Sequence, residues 1–246
     1  MLAQMARFDP QSYSGLDRLG RIALSESFHM REFLYSEIAV HYQLRNVPDK
    51  ERIDIAIEAG SKLCSLLLEP LQKQFGRVHV RSGYRSREVN AAGVQKHNCA
   101  ADNRGFHTWD HPSENNGIGA TACISVPSVS KAVFDGTVSY ESMAWWVYDN
   151  LPEWSHLEFF ATAEHSDEVC FNIGWHEAPE RRIDYAQHGQ PRYAVVWQEG
   201  QGTGYVIKPD ASQPKGIRVQ SVPVQMLQAF EAAGQAGAAQ LEELFR

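Results

Sequence analysis

Between residues 49 and 74 apolar side chains recur at Ile53, Ala56, Ile57, Leu63, Leu66, Leu67 and Leu71. That spacing gathers most of them on one stripe and predicts a core-facing helix, with Cys64 inside it as a small buried hydrophobe. The period then changes. Val78 and Val80 alternate with polar neighbours, which predicts a half-buried strand over residues 77–82 ending at the Ser82-Gly83 turn. Residues 98–119 are rich in Gly, Asn, Asp, Pro and Ser with no sustained apolar period, and read as a long loop interrupted by Phe106 and Trp109.

Further along, residues 123–127 read as a strand and residues 142–151 as a helix carrying Met143, Trp146, Val147 and Leu151. Residues 156–160 read as another strand with residues 171–175 as its partner. Beyond Pro179 the chain becomes polar, then residues 193–197 and 205–207 predict a short hairpin and residues 223–246 a terminal amphipathic helix. No internal repeat or coiled-coil heptad is visible. The expected fold class is α+β, with helices covering one side of a small antiparallel sheet. The expected domains are residues 1–180, with a C-terminal extension, residues 181–246, packed on them.

Composition narrows the function. A hydrophobic fraction of 43% with six Trp in 246 residues argues for a real core. A net charge of −7 argues against a general nucleic-acid binder, which needs a basic face to neutralise phosphates. No apolar run reaches the roughly 20 residues that span a bilayer, and residues 1–8 lack the apolar core of a signal peptide, so the expected location is cytoplasmic. Four cysteines are too few for a secreted disulfide framework; each is expected to be packed, metal-bound or reactive.

The chemistry concentrates in three places. Val78-His79-Val80-Arg81-Ser82-Gly83-Tyr84-Arg85-Ser86 delivers an arginine just past a strand end, Asn116-Gly117-Ile118-Gly119-Ala120-Thr121-Ala122-Cys123-Ile124 follows, and Glu153-Trp154-Ser155-His156 comes last. This order resembles the zinc D-alanyl-D-alanine carboxypeptidase family, in which a Ser-Gly-Tyr-Arg-Ser segment precedes a His-x-x-Gly-x-Ala-x-Asp-Ile motif and an acid near a Trp-x-His. The resemblance covers roughly residues 20–165, including Asn46-Val47-Pro48 upstream. It implies a zinc-like site in which Asn116 stands at the first histidine, Gly119 at the glycine, Thr121 at the alanine and Cys123 at the aspartate.

Thiolate is a competent zinc ligand, whereas a neutral amide is a poor one. His107 is therefore expected to replace the first ligand, with His111 and His97 as alternatives. Cys123 is the second ligand and His156 the third, with His176 as the rival for that place. On the family pattern Glu153 is the base and Glu158 its alternative. Arg85 holds a substrate carboxylate or oxyanion, accompanied by Ser82 and Tyr84.

The reaction implied is zinc-dependent hydrolysis of an amide or peptide, in the family a cell-wall peptide. Two other classes remain open. One is a binding or structural module that keeps the fold without catalysis. The other is a metal-free enzyme using Cys123 as nucleophile and His156 as base.

Overall fold

The computed structural model describes residues 8–96, 103, 105–113, 116–138, 142–159, 169–185, 194–198, 205–209, 217–221 and 224–246. The expected histidine at position 97 lies outside them, as does Cys99. The chain divides into two compact units: residues 1–70, 80–123 and 174–178, and residues 71–79, 124–173 and 179–246.

The first unit opens with α1 (Tyr13–Gly20), capped by the Ser12 hydroxyl, which accepts from Gly15 N at 3.0 Å. A 3₁₀ turn (Met30–Glu32) leads to α2 (Glu37–Tyr42), where Ser36 caps the start and Gln43, in the left-handed region at φ 55, ends the helix. The predicted long helix follows as α3 (Ile53–Leu63), a π turn (Cys64–Leu68) and α4 (Glu69–Phe75), whose last turn belongs to the second unit. Pro70 explains the π turn: its ring has no N–H and clashes with the carbonyl four residues back, and a wider turn just before it relieves both problems.

The predicted stripe holds, because Ile53, Ala56, Ile57, Leu63, Leu67 and Leu71 are all buried. Cys64 is buried as expected, and its thiol is pushed far above its ordinary value, first by burial and then by Glu32 and Glu69.

β1 (His79–Ser82) is followed by α5 (Arg87–Lys96), then by β2 (Gly119–Ser125). α2 and α5 bury Ile38, Ala39 and Val89 between them, with Tyr42, Leu44 and Ala92 packed around. Phe28, Phe33, Tyr84 and Trp109 form the aromatic centre of this unit.

The second unit contains α6 (Pro127–Phe134), α7 (Ser142–Asn150), β3 (Trp154–Phe159) and the start of β4 (Cys170–His176). It continues with β5 (Arg182–Tyr185), β6 (Ala194–Gln198), β7 (Tyr205–Pro209), β8 (Ile217–Ser221) and α8 (Val224–Leu244). Strands β3, β5, β6, β7 and β8 lie side by side in that order, and β4 neighbours β3 as the sequence predicts.

The predicted hairpin is present, with Val195 opposite Val206, and β8 extends it with Val219 opposite Ile207. The sheet departs from the expected antiparallel pattern at β3 and β5, which pair in parallel with His156 opposite Arg182. The long excursion through β4 brings the chain back for that pairing, which no tight hairpin can make. α8 packs on α7, and the Phe75 ring meets Trp146 edge-on at 4.6 Å and Phe245 at 5.3 Å. The unit is thus mixed α+β with a mostly antiparallel sheet.

Candidate functional site

The arginine segment is built by its neighbours. After β1 the backbone turns at Gly83, where a Cβ would stand 2.8 Å from Phe33 Cδ1 and 2.9 Å from Phe33 Cβ, so no side chain fits. Tyr84 N donates to Phe33 O at 3.0 Å. Asn46 then uses its whole amide on the segment: Nδ2 donates to Tyr84 O at 2.7 Å and to Leu34 O at 2.9 Å, while Oδ1 accepts from Ser86 N at 2.7 Å. Ser86 in turn caps α5, its hydroxyl accepting from Val89 N at 3.2 Å and donating to Arg45 O.

From the other side the segment is held by the loop of residues 105–113. Arg85 N donates to His107 O at 2.8 Å, and the buried His107 ring places Nδ1 2.8 Å from Gly83 O. A carbonyl only accepts, so Nδ1 carries the proton and, in the neutral ring, Nε2 carries the lone pair.

The loop itself is tied by Asn103, whose Oδ1 accepts from Thr108 N at 2.8 Å and whose Nδ2 donates to Thr108 O and His111 O. Thr121 N donates to Phe106 O and Trp109 Nε1 to Thr121 O, which fastens the loop to β2. Cys123, half-buried, sits on that strand.

Beneath the segment lies a polar cluster. The Tyr84 hydroxyl, fully buried, donates to Asp110 Oδ1 at 3.1 Å; burial and the adjacent Asp110 push the phenol well above its ordinary range. Asp49 N donates to Asp110 Oδ2 at 2.9 Å, and Arg52 Nε donates to Asp110 O. His111 lies beside both acids, Nδ1 3.2 Å from Asp110 Oδ1 and Nε2 3.3 Å from Asp49 Oδ2. Among the described residues, Asp49, Asp110 and His111 are the one group of three metal-ligating side chains whose ligand atoms all lie within 4.8 Å of one another. Such proximity is not specific to a metal.

His176, the rival third ligand, is buried in the first unit with both nitrogens engaged. Nε2 is 2.9 Å from Ser113 Oγ and Nδ1 is 2.9 Å from Ala178 O. Phe106 lies against its ring, tilted by 32° with centroids 4.6 Å apart, and the backbone is so close that a Cβ on Gly117 would lie 2.5 Å from Cε1 and one on Gly119 2.8 Å from Cδ2. The two glycines thus serve the packing of His176. Asn116 is exposed in a left-handed turn at φ 61.

Of the remaining expected residues, His156, Glu153 and Glu158 belong to the second unit. His156 is buried in β3. Glu153 is exposed in the turn before that strand, and Glu158 accepts from Asn172 Nδ2 at 2.9 Å. Ser82 is half-buried at the end of β1, and Arg85 is half-buried just beyond it.

Sequence reading passes over Asn46 and Asp110 as site builders. Their only local signal is a short polar residue next to an apolar or aromatic one, Asn46 before Val47-Pro48 and Asp110 after Trp109. Their partners lie 38 and 26 residues away along the chain. Comparison with known proteins returns no match: no family model, no curated sequence and no solved structure resembles this chain closely enough to place it.

Proposed function

We propose that the chain is a metal-dependent amide hydrolase acting on peptide-like substrates, with zinc as the metal. The observation that supports it is the state of His107. Its ring is buried, oriented by a backbone carbonyl at Nδ1, and carries its lone pair on Nε2, the arrangement in which proteins hold a metal-ligating imidazole. That carbonyl belongs to Gly83, and the His107 carbonyl accepts from Arg85 N, so one pair of contacts fixes both the ligand and the arginine.

Within the first unit the residues that would hold zinc are His107 and Cys123, while His176 spends both nitrogens on the protein. Bound zinc would supply a water whose pKa falls toward about 7. Arg85 supplies a five-donor fork suited to a carboxylate or an oxyanion. The peptide class of substrate rests on the family resemblance.

The test is elemental analysis of the purified protein without added zinc, alongside His107→Ala and Cys123→Ala. About one zinc per chain in the native protein, lost in the variants, supports the reading. No metal in any of them refutes it.

A second reading, a binding module without catalysis, draws support from Asn116. The position matching the family's first histidine holds a neutral amide exposed in a left-handed turn. Ligand binding that depends on Arg85, with no product formed, favours that reading.

A further inference from the structure

In the first unit α1, the 3₁₀ turn, α2 and the following segment enclose an open cleft of about 810 Å³. That is the size of a site for a small molecule or a short peptide. Seven large hydrophobic side chains are exposed among the described residues, and four of them line this one cleft: Tyr13 at 87%, Val40 at 67%, Tyr35 at 55% and Leu16 at 38%. Scattered apolar residues on a surface need no explanation, but a majority gathered in one concavity marks a binding site.

The charged lining is basic in a chain of net charge −7. Three arginines, Arg21, Arg31 and Arg45, face it together with one acid, Asp17, and Arg21 already pairs with Asp17 at 2.9 Å. Among the described residues no carboxylate pairs with Arg31 or Arg45; the one contact of the Arg45 guanidinium is with the Tyr13 ring, 5.9 Å from its centroid. Two exposed guanidinium groups without acids stand over an apolar floor.

We propose that this cleft binds an acidic peptide segment, its carboxylates on Arg31 and Arg45 and an aliphatic or aromatic side chain between Leu16, Tyr35 and Val40. Guanidinium is the side chain best matched to carboxylate, by its planar two-pronged donor geometry. The aromatic rings add rigid apolar contact at low entropic cost. A nucleic acid meets two cations here and a surplus of seven negative charges on the chain, which opposes it.

The site is separate from the arginine segment yet touches its support. Asn46 lines the cleft and also holds Tyr84 and Ser86, and the Arg45 carbonyl accepts from Ser86 Oγ. The proposal does not depend on hydrolase activity.

The test is fluorescence anisotropy with a fluorescein-labelled decapeptide of glutamate, leucine and glycine. Controls are its lysine-for-glutamate counterpart and a thymidine oligonucleotide of matching length. The acidic peptide is expected to bind the native protein, to weaken about tenfold in the Arg31→Gln/Arg45→Gln double variant, and to weaken in Val40→Ser. Among the described residues neither guanidinium makes a hydrogen bond, so the double variant should keep the native unfolding midpoint, and a Leu16→Ser variant gives an independent check.

Absence of acidic-peptide binding overturns the proposal. So does equal binding of the lysine peptide, binding unchanged in the double variant, or preferred binding of the oligonucleotide. Concentration-dependent dimerisation abolished by the double variant also overturns it, because the occupant would then be a second copy of this chain.

Discussion

Replacing Asn46 with alanine removes three hydrogen bonds with one side chain, and the structure says how much each is worth. The bonds to Tyr84 O and from Ser86 N are buried, while the bond to Leu34 O is partly open to water, which can take the place of the lost donor. A buried backbone group left without a partner costs about 1–3 kcal/mol, so two such groups set the loss at roughly 2–4 kcal/mol once partial relaxation is allowed. For a chain of this size that corresponds to a fall in Tm of about 4–16 °C.

The isosteric Asn46→Asp separates hydrogen bonding from volume. It keeps an acceptor for Ser86 N but turns lone pairs toward two carbonyls, so it should be at least as unstable as the alanine variant. The assay is urea unfolding followed by tryptophan fluorescence, since the buried Trp109 ring packs against Phe33 and Tyr84. Amide exchange at Ser86 gives the local readout and should accelerate in both variants. A midpoint shift worth less than about 0.5 kcal/mol in Asn46→Ala, or a native-like Asn46→Asp, would refute the reasoning.

Tyr84→Phe deletes the donor to Asp110 Oδ1 in a buried setting and should cost about 1–3 kcal/mol in urea unfolding; an unchanged midpoint would show that the hydroxyl contributes nothing. Gly60→Ala sets two effects against each other. The helix gains about 1 kcal/mol from alanine, but the new Cβ lies 2.6 Å from Trp109 Cζ3, a fully buried ring held at Nε1 by Thr121 O, and overpacking of that kind costs about 1–3 kcal/mol. Net destabilisation is expected, and a raised Tm would mean that Trp109 yields.

Cys64 makes stability depend on alkali. The native thiol is held above its ordinary value of 9.0, so above that pH the unfolded chain loses a proton that the folded chain keeps, and stability falls as pH rises. Tyr84 adds to the fall beyond its ordinary 10.0, so the window that isolates the thiol is pH 9 to 10. Cys64→Ala should flatten the stability slope there, and an unaltered slope would contradict the burial argument.

What could be read from the sequence follows from the range over which each feature is encoded. The long helix, the β6–β7 hairpin and α8 are regular over enough residues for periodicity to show them. α2 has only six residues, α5 carries Arg87, Glu88, Asn90, Gln95 and Lys96 in ten, and β5 and β8 have four and five, so none offered a period to count. The parallel pairing of β3 with β5 depends on how the chain returns, which no local pattern records. The arginine segment was legible because it is contiguous. Its supports were not, because Asn46 and Asp110 act across the fold. Tyr84, read as a companion of Arg85 at a substrate, is buried with its hydroxyl on Asp110.

His107 and His111 stand four residues apart in one loop, and both were candidates for the same ligand position. Their surroundings separate them. The His111 ring lies between two carboxylates, one beside each nitrogen, and Asp110 already accepts from Tyr84 OH and Asp49 N. One ion takes a single imidazole nitrogen, so a metal at Asp49, Asp110 and His111 would have to turn the ring away from one acid and compete with the donors on the other. An oxygen-seeking cation such as calcium would also want six to eight oxygens.

In His107 a carbonyl stands at Nδ1 where His111 has the Asp110 carboxylate, and it fixes the proton there and, in the neutral ring, the lone pair on Nε2. The expected result is therefore asymmetric: His107→Ala loses bound zinc, and His111→Ala keeps it while losing some stability. Zinc lost from His111→Ala but retained in His107→Ala would move the metal to the acidic cluster and overturn the argument from tautomer and second-partner geometry.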